Sequence, residues 1–373
     1  MVPGSAEEVA QVLAEANRTG RRVGPDFRIS LERLNHILEY NAADLTVSAE
    51  AGVTLGDLDA ALRAERQWLP LSSNRLTVGE VLLDNWSGPF RLFYGTARDM
   101  VLGVRFATVE GKLVKSGGKV VKNVAGYDMA KLMIGSCGTL AVLVQVNFRT
   151  YPLPAARETM AIGFSRPEAA LAACSAIQRS VLTPLAMDLL DSSAAKFVSP
   201  QELPPGNWIL AVAYGGVDRV IVRYRDELDA IGKQAGRTSS ATLSGLDEDR
   251  LWTAIIDMPL EMEKRAAEAV RLKVTTTLTQ IGPAISALPA DAVVSRAGNG
   301  VTYFYVQAAD DAAWVNRARG VLAPLGARTV AEYAPGPVDR WGPAGDDLPM
   351  MRELKRTFDP NRILYPGTFV GGL

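Results

Sequence analysis

Glycine sets the first constraint on this chain. Between Arg75 and Gly103 it recurs at Gly79, Gly88, Gly95 and Gly103, with neither the spacing of a helix face nor the alternation of a strand. It returns at Gly126, Gly135 and Gly138. A residue without a Cβ serves where backbone turns through left-handed conformations or closes on another group. The stretch Arg75–Gly103 therefore reads as loops that bring main chain up against something. The densest cluster is Lys122-Asn123-Val124-Ala125-Gly126-Tyr127-Asp128, then Lys131-Leu132, then Gly135-Ser136-Cys137-Gly138-Thr139-Leu140. It lacks the strand–GxGxxG–helix context of a dinucleotide fingerprint and has no Walker lysine. From these residues alone, turns that merely link strands remain the competing reading.

Around these loops the pattern is of helices and strands. Ser5 opens a helix with apolar positions Val9, Val12, Leu13 and Ala16, and Thr54 opens another with Leu55, Leu58 and Leu62. Leu45–Ala49 reads as a strand, and Val104–Val109 with Lys112–Val114 as a hairpin about Glu110-Gly111. After the breaker Tyr151-Pro152-Leu153-Pro154, strands and helices alternate. Strands are expected at 159–164, 208–214 and 301–306, and helices at 167–181, 219–231 and 312–322. This predicts a compact α+β domain, with the split βαβ arrangement as its model. The Pro/Gly/Trp-rich tail carries one helix near Leu348–Thr357 and is expected to pack back on another domain. No internal repeat is visible.

Composition removes several functions. With 40 Lys+Arg against 41 Asp+Glu the net charge is −1, which gives no reason to expect nucleic acid or an anionic membrane as partner. One His and two Cys, Cys137 and Cys174, cannot build a four-ligand His/Cys zinc site, so no metal is expected. His36, beside Ile37 and Leu38, reads as a structural or surface residue. The cysteine usage, the lack of a signal-peptide pattern after Met1 and the lack of an apolar run of about 20 residues predict a cytoplasmic chain without a transmembrane segment.

Residue identity narrows the reading further. Thr77-Val78-Gly79, Ser87-Gly88, Tyr94-Gly95-Thr96-Ala97-Arg98-Asp99, Leu102-Gly103, Lys122–Leu132 and Gly135–Leu140 follow one another in an order that resembles the FAD-linked oxidases of vanillyl-alcohol-oxidase type. So does the tail, with Asp339-Arg340-Trp341-Gly342-Pro343, Phe358-Asp359-Pro360-Asn361-Arg362-Ile363-Leu364 and Pro366–Gly372. Within that family the chain is similar to the FAD-binding subunits of bacterial glycolate oxidase. The resemblance implies an α+β fold with a two-lobed FAD-binding domain at 1–154 (lobes about 1–44 and 45–154), a cap domain at 155–334, and an arm at 335–373 returning to the FAD domain. It implies non-covalent FAD, held by Gly79, Asn85, Gly88, Gly95, Gly135, Ser136 and Gly138, with Asp99 and Lys122 as weaker contacts. It also implies a role beside a catalytic FAD subunit and an iron–sulfur subunit of a glycolate oxidase-like complex, cytoplasmic or membrane-associated through those partners, in which this chain is not catalytic alone.

Departures from the family pattern support a second reading. The family's glycine-rich pyrophosphate loop is missing, because Val23-Gly24-Pro25 runs almost directly into Asp26–Asn35. Glu80 stands where the family has a second glycine, bringing negative charge toward the expected diphosphate. Ala141 replaces another glycine, and Tyr365 replaces the Asn of an Asn-Pro-Gly tail. Taken together these predict a flavin-free structural scaffold as the alternative.

Overall fold

In the computed structural model, residues 1–24, 26–71, 73–118, 126–199 and 203–373 are described. They fall into two compact units. The first comprises Met1–Gly88, Gly95–Leu153 and Pro343–Leu373, and the second Pro89–Tyr94 and Pro154–Gly342.

The first unit is built on strands β1 (Ile37–Asn41), β2 (Thr46–Glu50), β3 (Gln67–Trp68), β4 (Val101–Ala107), β5 (Leu113–Gly117), β6 (Val142–Arg149) and β7 (Tyr151–Pro152). Five form an antiparallel sheet in the order β1-β2-β6-β4-β5, and β3 pairs with β7. Residue 44 lies in the turn between the paired β1 and β2, so the sheet runs across the expected lobe boundary. The helix Ala6–Thr19 is capped by the Ser5 hydroxyl, which accepts from the Glu8 N–H. It buries Val9, Leu13 and Ala16 with Val23, Leu34, Val144, Ile363 and Leu364. The last two come from the tail, so the end of the chain completes the core of its beginning.

Arg75–Gly103, read as loops, contains three short helices: Val78–Leu83, Arg91–Tyr94 and Ala97–Met100. At four to six residues each, none is long enough to display a periodic apolar face. Two are instead specified by capping boxes, Thr77 with Glu80 and Thr96 with Asp99.

The second unit is one antiparallel sheet of eight strands: β8 (Ala156–Phe164), β9 (Ala186–Asp191), β10 (Trp208–Gly216), β11 (Ser239–Ser244), β12 (Ala269–Thr275), β13 (Ala292–Arg296), β14 (Val301–Gln307) and β15 (Arg328–Tyr333). Their order is β11-β8-β10-β9-β13-β14-β12-β15. Within it the split βαβ arrangement occurs twice. Each half inserts its third strand between its first two and places its fourth outside the first, and the halves meet where β9 pairs with β13. The repeat is one of topology, carried by alternating apolar residues rather than by shared sequence.

Side-chain alternation divides the sheet faces. Met160, Ile162, Leu210 and Val212 pack under the helices Pro167–Arg179 and Asp218–Gln234. Leu272, Val274, Phe304 and Val306 pack with Trp314 and Val315 of the helix Asp311–Leu322. The intervening residues, Arg271, Lys273, Tyr303 and Tyr305, take the opposite face. On that side the 21-residue helix Gly245–Arg265 buries Trp252, whose ring N–H donates to Thr159 of β8.

Candidate functional site

The candidate residues in the first unit gather around the helix Val78–Leu83. Its N-terminus is fixed by hydrogen bonds from Val78 N–H to Val53 O (2.8 Å) and from Gly79 N–H to Ala51 O (2.7 Å). A Cβ on Gly79 would lie 3.0 Å from that same carbonyl. Gly79 thus brings helix onto strand, and its N–H is already committed. Glu80 is also accounted for locally. Its carboxylate accepts from the Thr77 N–H at 2.8 Å and the Thr77 hydroxyl at 2.9 Å, completing the helix cap. Its negative charge, expected to oppose an anionic ligand, thus also has a local role at the helix start.

At the other end the helix closes in a Schellman motif: Trp86 N–H bonds to Val81 O and Asn85 N–H to Leu82 O, each at 3.0–3.1 Å. Asn85 occupies the left-handed position (φ 52°) that this motif requires and is exposed. The same carbonyls reach outward. Leu82 O accepts Gly135 N–H and Leu83 O accepts Cys137 N–H, both at 2.9 Å. The segment 135–138 is thereby hung from the helix end, with Gly135, Cys137 and Gly138 all at positive φ. A Cβ on Gly135 would touch the Asn85 side chain at 3.5 Å, and one on Gly138 would meet the Tyr365 ring at 3.2 Å.

Between them Ser136 is buried, and its hydroxyl has no hydrogen-bond partner among the described residues. An orphaned buried hydroxyl costs desolvation energy, which a bound water or ligand relieves. Left-handed non-glycine residues are also uncommon. Asn85, Cys137 and Tyr365 supply three of them in one neighbourhood, the concentration of backbone strain that accompanies binding sites.

Gly135, Ser136, Gly138 and Asn85 are therefore brought together. Gly79 stands apart at the opposite helix end. Gly88 donates its N–H to Leu71 O at 2.8 Å. Gly95 has φ 83°, and a Cβ there would strike the Asp99 carboxylate at 2.6 Å. Asp99 itself accepts from the Thr96 N–H as a helix cap (2.8 Å), which explains it without a ligand. Lys122 lies outside the described residues.

Two residues not singled out from sequence hold this site in place. Lys355, on the tail helix Leu348–Phe358, is buried and donates to Thr139 O (2.8 Å), Leu364 O (2.7 Å) and the Asp359 carboxylate (2.7 Å). Asp359 in turn accepts the N–H groups of Ile363 and Leu364 at 2.9 and 2.8 Å. Val23 bridges this tail through its backbone, with Tyr365 N–H donating to Val23 O at 2.8 Å and Val23 N–H to Ile363 O at 2.7 Å. Gly24 N–H donates to Phe27 O at 3.0 Å, in the stretch where the family's pyrophosphate loop was read as missing. Burial pushes the Lys355 ammonium below its usual range, opposed by Asp359. Ala141 is fully buried.

Polar groups in the second unit form self-neutralising pairs. Arg296 is paired with Asp188 across β13 and β9, both buried. Arg271 meets Glu263 at 2.5 Å and Glu332 at 3.3 Å, and Lys273 meets Glu332 at 3.1 Å. His36 is exposed in the first unit, with Nδ1 2.8 Å from the Glu50 carboxylate. Among the described residues no cluster of three or more His, Cys, Asp or Glu is arranged to hold a metal ion. No helix among them is long and apolar enough to cross a membrane.

Comparison with known proteins matches residues 24–117 to an FAD binding domain and residues 153–279 and 342–369 to the C-terminal domain of FAD linked oxidases. Glycolate oxidase subunit GlcD of Bacillus subtilis is 25% identical over 371 residues, covering 90% of this chain and 77% of that protein. Glycolate oxidase subunit GlcE of Escherichia coli is 37% identical over 137 residues, covering 36% of this chain and 39% of that one. D-lactate dehydrogenase of Archaeoglobus fulgidus is 31% identical over 212 residues, covering 52% and 47%. Among solved structures, alkyldihydroxyacetonephosphate synthase superposes with TM-score 0.71 at 18% identity, covering 99% of this chain and 77% of that one, a likeness of fold. The matched domains make FAD the cofactor, and the unpartnered Ser136 hydroxyl beside two glycines fits such a group. The flavin-free alternative is not favoured, since the matched domains are those of FAD-binding, FAD-linked oxidases.

Proposed function

The chain carries the two domains of an FAD-linked oxidase, and from that premise we propose that it is the FAD-holding, electron-relaying subunit of a dehydrogenase for a small 2-hydroxy acid of the glycolate or lactate kind. It works beside a catalytic FAD subunit and an iron–sulfur subunit. The observation that carries the reading is the turn 135–138, where left-handed Gly135 and Gly138 flank a buried Ser136 hydroxyl that has no hydrogen-bond partner among the described residues, with Gly135 against Asn85.

Bound FAD supplies acceptance of two electrons and their onward release one at a time. The chain's part is to hold it. Ser136 Oγ is free to donate or accept one hydrogen bond. Gly135 and Gly138 let main chain approach without a Cβ, and Asn85 adds an exposed amide fixed by the helix end. Gly79, Gly88 and Gly95 shape the adjoining backbone. The accessory role is supported by the state of the acid–base groups. Arg271, Lys273 and Arg296 are already neutralised by Glu263, Glu332 and Asp188, and the single histidine is an exposed partner of Glu50. A general base needs hydrogen-bond reach to substrate, and these groups are committed elsewhere.

The purified chain is to be incubated with excess FAD, desalted and scanned. Retained visible flavin absorbance, with no turnover of glycolate or D-lactate until partner subunits are added, is the expected result. Robust turnover by the isolated chain overturns the accessory role, and a folded chain that emerges colourless overturns FAD binding.

A further inference from the structure

Lys355 spends every proton of its ammonium within the fold. An ammonium has three donors. Here they go to the carbonyl of Thr139, the carbonyl of Leu364 and the carboxylate of Asp359, at 2.7–2.8 Å. Two of the three acceptors are main chain, so this cation fixes backbone shape as well as balancing a charge. On one side it grips the residue immediately after Gly138, and on the other the residue immediately before Tyr365. The Tyr365 ring is the group a Gly138 Cβ would meet at 3.2 Å. Tyr365 sits at φ 42°, a conformation costly for an aromatic residue, and so persists only because its surroundings over-determine it. A buried ion pair is often replaceable by apolar residues without loss of stability. Stability alone is therefore a weak reason for a cation in this place, whereas two carbonyls that need donors are a specific one.

We propose that Lys355 is a positioning residue for the cofactor: by clamping Thr139 to Leu364 it holds Ser136, Gly138 and Tyr365 in the arrangement that receives FAD. This rests on the FAD reading of the turn 135–138. Asp359 is the second member of the clamp, orienting the ammonium and tying down Ile363 and Leu364. The ring of Tyr365, placed by the same clamp, contacts the site from the tail.

The test compares full-length wild type with Lys355→Met, Lys355→Arg, Asp359→Asn and, as a control, Asp310→Ala. The control removes the cap of the helix Asp311–Leu322 in the second unit, where the Asp310 carboxylate accepts from the Ala313 N–H, and touches neither the clamp nor the turn 135–138. Three readouts are taken: FAD dissociation constant by titration, visible circular dichroism of the bound flavin, and melting temperature without FAD. Lys355→Met is expected to weaken FAD binding more than tenfold and alter the dichroism, with Lys355→Arg recovering much of both. Asp310→Ala is expected to lower the melting temperature and leave both flavin readouts at wild type. Should Lys355→Met fail to fold, Asp359→Asn is expected to weaken binding at least threefold with altered dichroism. Wild-type FAD uptake with every folded clamp variant unchanged in affinity and dichroism overturns the positioning role alone. A wild-type chain that takes up no FAD overturns the cofactor reading and this proposal with it.

Discussion

Both units bury a cation against a carboxylate, yet the two pairs do different work. In the first unit Lys355 and Asp359 lie four residues apart on the tail and direct most of their hydrogen bonds at main-chain groups, those of Ile363 and Leu364 nearby and of Thr139 far away in the chain. In the second, Arg296 and Asp188 face each other across the seam where the two halves of the eight-stranded sheet join, side chain to side chain. The first pair shapes loops and has an unsatisfied hydroxyl close by. The second closes a sheet junction registered by only Val294 with Leu190 and Ser295 with Leu189. Buried charge is thus a tool for making a site in one place and for joining strands in the other, and the identity of the partners tells which.

The comparison is broken most strongly at the seam. Asp188→Ala leaves the Arg296 guanidinium buried without its partner and is expected to cost about 3–5 kcal/mol in chemical denaturation, whereas Asp188→Leu with Arg296→Met recovers most of it. Burial pushes the Asp188 carboxyl up to about 6, against the pull of Arg296. The folded chain therefore binds this proton more tightly than the unfolded one. The resulting stability is complete below the free value of 3.8 and lost as pH rises through about 6. Melting curves should show the wild type losing ground to the double variant between pH 4 and pH 7.

At the first unit's site the expected effects are smaller and fall on binding. Gly138→Ala places a Cβ at φ 70° and 3.2 Å from the Tyr365 ring, costing about 1–2 kcal/mol of stability, with FAD uptake falling alongside. By contrast, Asp310→Ala in the second unit costs about 1 kcal/mol through loss of the cap on the helix Asp311–Leu322 and leaves FAD affinity unchanged. Ser136→Ala is the sharpest of the set. Removing an unpartnered hydroxyl should change the stability of the FAD-free chain by less than about 0.5 kcal/mol, while FAD binding weakens about tenfold through one lost hydrogen bond, as titration will show.

Much of the fold was legible because local chemistry carries it. Ser5 and Thr54 cap the helices they were expected to open, and the strands and helices expected beyond Pro154 stand where their apolar alternation placed them. The short helices around Gly79 and Gly95 escaped periodicity, although Thr77-x-x-Glu80 and Thr96-x-x-Asp99 are visible capping signatures. The helix Gly245–Arg265 was missed because Pro259 and a high share of polar residues interrupt its apolar stripe. The duplicated half-sheet left no trace in sequence, since alternation constrains polarity and not identity. At the site, the glycines and Ser136 were named by resemblance alone, and which of them lie together could not be read from it. Asp359 entered only as part of the tail motif 358–364 and Lys355 not at all, because the carbonyl of Thr139 that Lys355 reaches lies far away in the chain.

The tail's place in the first unit has a consequence for synthesis. Thr139 leaves the ribosome 216 residues before Lys355. At roughly 5–20 residues per second that is an interval of roughly 10–40 s. Throughout it the nascent chain holds the turn 135–138 without its clamp and the core of the first helix without Ile363 and Leu364, while the second unit is made and can fold. On the proposed reading of the turn 135–138, cofactor capture waits until Lys355 and Leu364 have been made.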